Sequence, residues 1–305
     1  MTVNKPTNAQ IELSIIILSY NTEVLTRQTI ESIYRSTQLD NDRFEVIVLD
    51  NASTDDSVKV LRELEKKNKN LRVIENKENT GFSKGNNIAS QQAKGKYLLF
   101  LNSDIIVQDQ GIDILLTYLK DHENEVQFVG GKLLNKDGTN QSSCGPFYTL
   151  PVVFGALFLR GDYWGLTRYS PDVVKQVDWV SGACILTKKQ YFDKVGGFDE
   201  GIFMYMEEID LLYRAKKNGL QTGFVPQARF IHLGSASSGG KTYPILQVYK
   251  GFLYFYKKHY DPTAVTLLKG MLQLKAQLAM LLGRLTGNKY LIQTYGKAQE
   301  IASMA

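Results

Sequence analysis

The chain has 305 residues, 43% of them hydrophobic and 22% charged, and its formal net charge at pH 7 is +5. This composition is typical of a soluble globular protein with one large domain or two small ones. The net charge is too small to indicate binding of nucleic acid, but it is compatible with an anionic substrate or a lipid surface.

The N-terminal segment and the two cysteines exclude further classes of protein. Residues 1–10 are polar and lack the apolar core of a signal peptide. No uncharged apolar run approaches the roughly 20 residues that a membrane span needs. Cys144 and Cys184 form neither a disulfide framework nor a zinc-binding spacing, so we expect a reducing, cytoplasmic compartment.

Apolar segments rich in β-branched residues alternate with segments of helical spacing in the first half of the chain. This alternation predicts an α/β fold with a mostly parallel central sheet and helices on both faces. The predicted strands cover residues 13–20, 44–50, 71–75, 97–101 and 126–134. The predicted helices cover residues 23–36, 54–67 and 109–121, and Ser83 is expected to cap another helix.

Three of these strands end in polar residues, at Tyr20-Asn21, Asp50-Asn51 and Asn102-Ser103-Asp104. The carboxyl ends of parallel strands meet at one edge of a sheet, which is where open α/β sheets bind ligands. Asp104 follows a strand that is apolar throughout, and we expect it to hold a divalent cation. The alternative is that Asn102, Ser103 and Asp104 only cap the next helix, because these residue types are preferred at that position.

Beyond residue 134 the regular spacing is lost and then returns. Residues 137–176 are rich in glycine and aromatic residues, which predicts either a long, partly ordered loop beside the site or aromatic core. Residues 177–186 predict a strand with Ser181-Gly182-Ala183 at its middle, where glycine indicates a bulge or a close approach. A short helix is expected at 188–195, a longer one from Phe203 to Asn218-Gly219, and a last edge strand at 222–226.

The longer helix and the residues after the edge strand contain further candidate functional groups. Glu207, Glu208 and Asp210 lie in the first turn of the helix, where the helix dipole favours negative charge. His232 precedes a Ser/Gly-rich loop that reaches residue 240. A lone histidine is more often structural, but an imidazole nitrogen can also complete a metal site.

The tail from residue 243 onward has a different character. Residues 245–259 are aromatic and basic, and residues 263–286 are rich in leucine. On a helical wheel, a polar cluster lies opposite an apolar side, and Lys275 is a charged residue within that apolar side. The polar cluster is Lys269, Gln273, Gln277 and Arg284, and the apolar side is Leu267, Met271, Leu274, Leu278, Leu282 and Leu285. This pattern fits either a helix packed on the domain or a helix lying in the plane of a membrane, with its lysines at anionic headgroups.

Transfer of a sugar from a nucleoside diphosphate needs three kinds of group. A cation must neutralise the departing diphosphate, a carboxylate must take the proton of the acceptor hydroxyl, and polar groups must orient the base and ribose. The sequence offers residues for each role. They are Asp104 with His232, the pair Glu207-Glu208, and Asp50 with Asn102.

Eight short segments together resemble glycosyltransferases of family 2, which have the GT-A fold, and their bacterial rhamnosyltransferase branch in particular. The segments are residues 14–21, 48–55, 79–87, 101–104, 180–183, 196–200, 206–211 and 232–235. The resemblance implies a catalytic domain over residues 1–242 and a C-terminal helical region over 243–305, which either packs on the domain or contacts a membrane. Within the domain, residues 13–134 would bind the nucleotide sugar and residues 135–242 would bind the acceptor and carry the catalytic acids.

The resemblance also implies roles for individual residues. Asp50 would accept the N3–H of uracil or thymine, Asn102 would lie near the ribose, and Asp104 with His232 would hold Mg²⁺ or Mn²⁺. Glu208 would be the catalytic base, with Glu207 as its neighbour. Asn102 and Glu208 each replace an aspartate that is commoner in the family. The other residues expected to bind the nucleotide sugar are Tyr20, Asn21, Asn79, Gly81, Lys84, Asn87 and Ser103, and those expected to bind the acceptor are Trp179, Ser181, Gly182 and Ala183.

The expected activity is an inverting transfer of a sugar in the synthesis of bacterial cell-surface polysaccharide. By resemblance the donor is dTDP-L-rhamnose, or else a UDP-hexose or UDP-galactofuranose, and the acceptor is a glycan or a lipid-diphosphate-linked sugar at the inner face of the cell membrane. Two rival classes are a sugar nucleotidyltransferase and a non-catalytic nucleotide-sugar binder. The first would need a Gly-rich, basic loop after the first strand, where this chain has Ser19-Tyr20-Asn21-Thr22.

Overall fold

A computed structural model describes residues 11–234 and 242–304. Two sequence predictions, the polar N-terminal segment at 1–10 and the Ser/Gly-rich loop at 235–240, lie outside the described residues. Ser235, the last residue of the segment that begins at His232, lies outside them as well.

The first half of the chain forms four parallel strands connected by helices, as the sequence predicts. The strands are β1 (Leu13–Ser19), β2 (Phe44–Asp50), β3 (Leu71–Glu75) and β4 (Tyr97–Asn102), and they lie in the order β3-β2-β1-β4. The connecting helices are α1 (Glu23–Ser36), α2 (Ser57–Lys67) and α3 (Gly81–Gln91). The apolar residues of β1, β2 and β4 are buried, because helices cover both faces of the sheet.

The second half extends the same sheet with strands of mixed direction. The elements are β5 (Ile105–Val107), α4 (Gly111–Asp121), β6 (Phe128–Leu134), β7 (Asn140–Gln141), β8 (Cys144–Gly145), α5 (Leu150–Phe158), β9 (Lys175–Val177), β10 (Trp179–Val180), β11 (Cys184–Lys188), α6 (Lys189–Lys194), α7 (Glu207–Lys217) and β12 (Thr222–His232). Strand β11 runs antiparallel between β4 and β6, and β12 runs parallel to β6 and antiparallel to β5. The sheet therefore continues in the order β4-β11-β6-β12-β5.

Three predictions about these elements are wrong and a fourth holds in part. Ser83 lies inside α3 and not at its cap. Residues 137–176 are not a long loop, because they contain the apolar helix α5 and the strands β7 and β8, but Phe147 in this segment is part of the core. The expected strand at 177–186 is divided, because residues 181–183 form a turn between β10 and β11. The expected edge strand at 222–226 is the start of β12, an 11-residue strand inside the sheet.

Three helices follow, α8 (Thr242–His259), α9 (Pro262–Thr286) and α10 (Lys289–Met304). Four aromatic side chains of α8, those of Tyr249, Phe252, Phe255 and Tyr256, are buried in the same cluster as Ile209 of α7. Asp261 caps α9 by accepting hydrogen bonds from the backbone N–H groups of Thr263 and Ala264. The core of the protein therefore extends through α8 and into one face of α9.

Candidate active site

Asp104 and His232 lie together at the carboxyl edge of the sheet. His232 ends β12 and pairs with Ile105 of β5, and the backbone N–H of Leu233 donates to the Asp104 carbonyl at 2.9 Å. These backbone contacts bring His232 Nε2 to 3.3 Å from Asp104 Oδ1. The Asn102 side-chain nitrogen lies 3.5 Å from the same His232 atom. The sheet thus brings together the two residues that the sequence assigns to the cation, Asp104 and His232, and the one that it assigns to the ribose, Asn102.

Gln141, which the sequence analysis did not identify, fixes the orientation of the His232 ring. Its side-chain N–H donates to Asn135 Oδ1 at 3.2 Å, so its oxygen faces His232 Nδ1 at 2.7 Å. Because this oxygen can only accept, Nδ1 carries the proton, and in the neutral imidazole Nε2 presents a lone pair to Asp104. A histidine held in this way by a second group is the usual arrangement of a metal ligand.

Hydrogen bonds and packing connect the end of β4 to the acidic pair on α7. The Asn102 backbone N–H donates to the Ala183 carbonyl at 3.0 Å, so the turn at 181–183 lies beside Asn102. A Cβ atom on Gly182 would lie 3.5 Å from the Cβ of Glu208. Asp104, His232 and Glu208 are therefore at the same edge of the sheet, and Gly182 is the point at which the predicted acceptor segment contacts the predicted base.

Glu207 and Glu208 begin α7 in a poorly hydrated environment. Glu207 is 6% exposed and Glu208 is half-buried, and one carboxylate oxygen of each is buried without a hydrogen-bond partner among the described residues. Burial raises the pKa of the Glu207 carboxyl well above its usual value, and the nearby charge of Glu208 raises it further. Burial also raises the pKa of Glu208, although backbone N–H groups and the charge of Arg168 oppose the change. A carboxyl of raised pKa is suited to accept a proton near neutral pH.

The turn before α7 has a strained backbone. Tyr205 and Met206 have φ angles of 65° and 76°, and residues other than glycine rarely adopt such values. Helix α8 holds this turn, because Gly251 lies against both residues: a Cβ atom there would be 2.7 Å from the Met206 Cγ and 3.0 Å from the Tyr205 carbonyl oxygen. Local backbone strain of this kind is common at functional sites.

A second contact between α7 and α8 centres on Asp210, which is fully buried. Its carboxylate accepts hydrogen bonds from Lys258 at 2.8 Å, His259 at 2.7 Å and Arg214 at 2.7 Å. Burial raises the pKa of Asp210, but these partners outweigh it and lower the pKa to about 2. Asp210 is thus a structural anion that ties α8 to the helix of the acidic pair.

The residues predicted to bind the base lie around the end of β2. Asp50 is buried, and one carboxylate oxygen accepts from the Ser53 N–H at 2.9 Å while the other has no partner within the described residues. Such an unpaired oxygen could accept the N3–H of a pyrimidine. Asn51, which the sequence analysis did not assign to the site, donates to Asn79 at 2.9 Å and accepts from the Thr80 N–H at 3.1 Å. It therefore shapes the turn that leads into α3.

Gly81 is required where that turn meets the strained loop. Its φ angle is +80°, and a Cβ atom would lie 2.6 Å from the Phe203 carbonyl oxygen. The turn at Asn21 contacts the segment that follows β2, because the Asn21 side-chain oxygen accepts a hydrogen bond from the Thr54 N–H at 2.7 Å. Of the other residues predicted to bind the nucleotide sugar, Tyr20 is half-buried after β1 and Lys84 is exposed on α3. The Ser103 hydroxyl lies 3.2 Å from the Thr22 hydroxyl.

Two of the predicted contact residues, Asn87 and Trp179, make hydrogen bonds within the protein. The Asn87 side-chain amide accepts a hydrogen bond from the Phe198 N–H at 3.0 Å and donates one to the Phe198 carbonyl at 2.9 Å. Both polar atoms of this amide therefore bind the turn that contains Phe198. Trp179 is 3% exposed, and its N–H donates to the Pro146 carbonyl at 2.8 Å. Trp179 therefore supports the acceptor segment from within the core, and of its neighbours Ser181 is half-buried whereas Ala183 is buried.

Two solved structures of similar shape contain Mn²⁺ together with a nucleotide or a nucleotide sugar. Mannosyltransferase PcManGT from Pyrobaculum calidifontis, in complex with GDP-Man and Mn²⁺, has a TM-score of 0.58 at 15% identity, over 99% of this chain and 90% of that chain. GalNAc-T7 with UDP, GalNAc and Mn²⁺ has a TM-score of 0.63 at 15% identity, over 84% of this chain and 49% of that chain. The described chain thus has the GT-A fold of nucleotide-diphospho-sugar transferases, as the resemblance implies.

Sequence comparisons give the family. The family model for Glycosyl transferase family 2 matches residues 14–174. Rhamnosyltransferase WbbL of Escherichia coli (strain K12) is 31% identical over 233 residues, 72% of this chain and 82% of that protein. N-acetylglucosaminyl-diphospho-decaprenol L-rhamnosyltransferase of Mycobacterium tuberculosis is 45% identical over 65 residues, 21% of each protein. The chain belongs to glycosyl transferase family 2 and is a glycosyltransferase of glycan biosynthesis, not a nucleotidyltransferase or a simple binder.

Proposed function

We propose that the enzyme transfers L-rhamnose from dTDP-L-rhamnose, with inversion, to a glycan or a lipid-diphosphate-linked sugar at the inner face of the cell membrane. The names of the E. coli and M. tuberculosis relatives support the transfer of rhamnose, and the name of the M. tuberculosis relative also supports a lipid-diphosphate-linked acceptor. A UDP-hexose or UDP-galactofuranose is the alternative donor. The observation that carries the proposal is that Asp104, His232 and Glu208 share one edge of the sheet, through the contacts of Asn102 with Ala183 and of Gly182 with Glu208.

The side chains of Asp104 and His232 are suitable ligands for a divalent cation, Mg²⁺ or Mn²⁺. An aspartate oxygen and an imidazole lone pair 3.3 Å apart repel each other unless a positive charge lies between them. No cluster of three or more His, Cys, Asp or Glu side chains that could hold a metal occurs within residues 11–234 and 242–304, so Asp104 and His232 would leave positions open for diphosphate oxygens. When bound, the cation would neutralise the charge that develops on the leaving diphosphate.

The residues of the site would then have the following roles in the reaction. Asp50 and the turn at 79–81 would hold the base, and Asn102 the ribose, so that the anomeric carbon is oriented for attack. Glu208 would take the proton of the acceptor hydroxyl, which attacks opposite the diphosphate. Its half-buried position over Gly182 supports this role, whereas Glu207 is almost fully enclosed.

A transfer assay with a panel of nucleotide sugars tests the proposal. The purified protein is incubated with Mg²⁺ or Mn²⁺, a lipid-diphosphate-linked acceptor and each of dTDP-L-rhamnose, the UDP-hexoses and UDP-galactofuranose, and the anomeric configuration of the product is read by NMR. We expect inverted product with dTDP-L-rhamnose, lost in Asp104→Ala, which should keep its fold by circular dichroism. Transfer from a UDP-sugar alone would replace the donor, and a retained anomeric configuration would refute single displacement.

A further inference from the structure

Helix α9 has three distinct faces. One face packs on the protein through Ala264, Leu268, Leu272 and Ala276, which are at most 8% exposed. A second is the polar cluster of Lys269, Gln273, Gln277 and Arg284. The third carries Leu267, Leu274, Leu278, Leu281, Leu282 and Leu285, whose exposed fractions range from 48% to 77%. The leucines predicted as the apolar side are therefore not the side that packs on the domain.

The exposed leucines form one stripe, because their spacing of seven, four, three, one and three residues follows the helical repeat. A monomeric soluble protein seldom leaves a stripe of this length in water. We call these six leucines the leucine face.

A second element with exposed apolar residues lies beside the leucine face. Lys275, which neighbours Leu274, donates from its Nζ to the Leu157 carbonyl of α5 at 2.7 Å. Past this contact the chain exposes Leu159, Tyr163 and Trp164, the last two at 78% and 68%. Tyrosine and tryptophan are enriched at membrane–water interfaces, where an amphipathic ring sits among the headgroups.

The charge of this region is strongly positive. Residues 242–304 contain eight lysines and arginines and two acidic residues, Asp261 and Glu300, so this part of the chain carries more positive charge than the net +5 of the whole protein. Helix α9 itself has no acidic residue. Of these basic residues, Lys269 and Arg284 belong to the polar cluster, which lies beside the leucine face on the helical wheel. Basic residues in this position are attracted to anionic lipid headgroups.

We propose that the leucine face enters the headgroup region of an anionic bilayer and that α9 lies in the plane of the membrane. The length and composition of α9 would also allow it to span a bilayer. However, spanning would remove Leu268 and Leu272 from the core, whereas the in-plane position keeps them buried and places only the leucine face in lipid. The inference rests on the proposed function in one respect, since it assigns a membrane surface to the enzyme's lipid-linked acceptor.

Sedimentation with vesicles tests the surface independently of catalysis. The full-length protein is mixed with vesicles of phosphatidylglycerol and phosphatidylcholine, or of phosphatidylcholine alone, and the bound fraction is measured. We expect binding to the anionic vesicles and about tenfold less affinity for Leu278→Glu, because a carboxylate replaces an inserted side chain. The matched control is Gln277→Glu, which makes the same charge change on the polar cluster and should bind within about threefold of the parent protein.

The outcomes separate the alternatives. Equal loss of binding in both variants, or no binding by the parent protein, would overturn the proposal. A parent protein that is dimeric without vesicles and becomes monomeric in Leu278→Glu would show that a second copy covers the leucine face. Resistance of the bound protein to extraction with alkaline carbonate would indicate a span instead. Vesicle binding without sugar transfer to any acceptor would refute the proposed function and leave the membrane surface intact.

Discussion

The side-chain oxygen of Gln141 accepts a hydrogen bond from His232 Nδ1 at 2.7 Å, and Nε2 of the same ring faces Asp104 at 3.3 Å. Gln141 is not among the residues proposed to hold the cation or the donor, yet it sets which nitrogen of His232 is free. The site therefore depends on a residue that lies on a two-strand hairpin, β6–β7, with its partner Leu133 eight residues away in sequence.

We predict that Gln141→Leu weakens Mn²⁺ binding by about tenfold, since loss of the orienting partner of a ligand histidine typically costs 10- to 100-fold in metal affinity. Mn²⁺ affinity in the presence of dTDP can be measured by electron paramagnetic resonance. Asn140→Ala, at the exposed neighbouring position, is the control and should bind Mn²⁺ normally. Unchanged affinity in Gln141→Leu would mean that His232 does not hold the cation.

Glu207 and Glu208 should differ in how much each contributes to kcat. We predict that Glu208→Gln lowers kcat by about 10²- to 10⁴-fold, the usual contribution of a general base, while Glu207→Gln keeps turnover within a few-fold. A pH profile of kcat/KM for the parent enzyme should fall on its acid side at a pH above the ordinary glutamate pKa, because burial raises the pKa of Glu208. Near-normal turnover by Glu208→Gln would remove it as the base.

The same pair gives a prediction about stability. Because burial raises the pKa of both carboxyls, each costs folding free energy above its ordinary pKa and none below it, where both are protonated in the folded and unfolded states. Both glutamine variants should therefore melt at a higher temperature than the parent at pH 8 and lose this advantage near pH 4. A lower melting temperature at pH 8 would show that the carboxylates have stabilising partners.

The sequence predicts the strands and their polar ends well, because β1, β2 and β4 are buried on both faces and their apolar runs end abruptly at the edge of the sheet. Position along the chain cannot show which distant segments pair. The hydrogen bond of Asn102 to Ala183 and the packing of Gly182 on Glu208 depend on the antiparallel insertion of β11 beside β4. The burial of Trp179 could not be predicted for a related reason, since an aromatic residue near a site looks the same in sequence whether it lies in the core or contacts a ligand.

Helix α8 should matter for catalysis although it lies far from Glu208 in sequence. We predict that Gly251→Ala lowers kcat by about tenfold or more with little change in the KM for the donor, because the added methyl group would displace the turn at Tyr205 and Met206 and with it the start of α7. The measurement is steady-state transfer at several donor concentrations.

Gly270→Ala provides a matched control for this substitution. Gly270 lies in α9, where an added Cβ atom would meet nothing within 4 Å. The change should leave kcat unaltered and stabilise the helix by up to about 1 kcal/mol. If Gly251→Ala turned over as fast as Gly270→Ala, the packing of α8 on the strained turn would have no part in positioning the acids.

Asp210 should govern stability in acid. Its pKa is lowered to about 2 in the folded protein, so its contribution, on the order of 2 kcal/mol, is complete above the ordinary pKa and is lost as the pH falls from about 4 to 2. Asp210→Asn leaves Lys258 and Arg214 without their buried anion, and we expect it to cost about 3 kcal/mol at pH 7 and to flatten the loss below pH 4. Denaturant unfolding from pH 7 to 2.5 measures both effects, with the exposed Asp42→Asn as the control. If the two variants lost stability in parallel below pH 4, the lowered pKa of Asp210 would not be what holds α7 to α8.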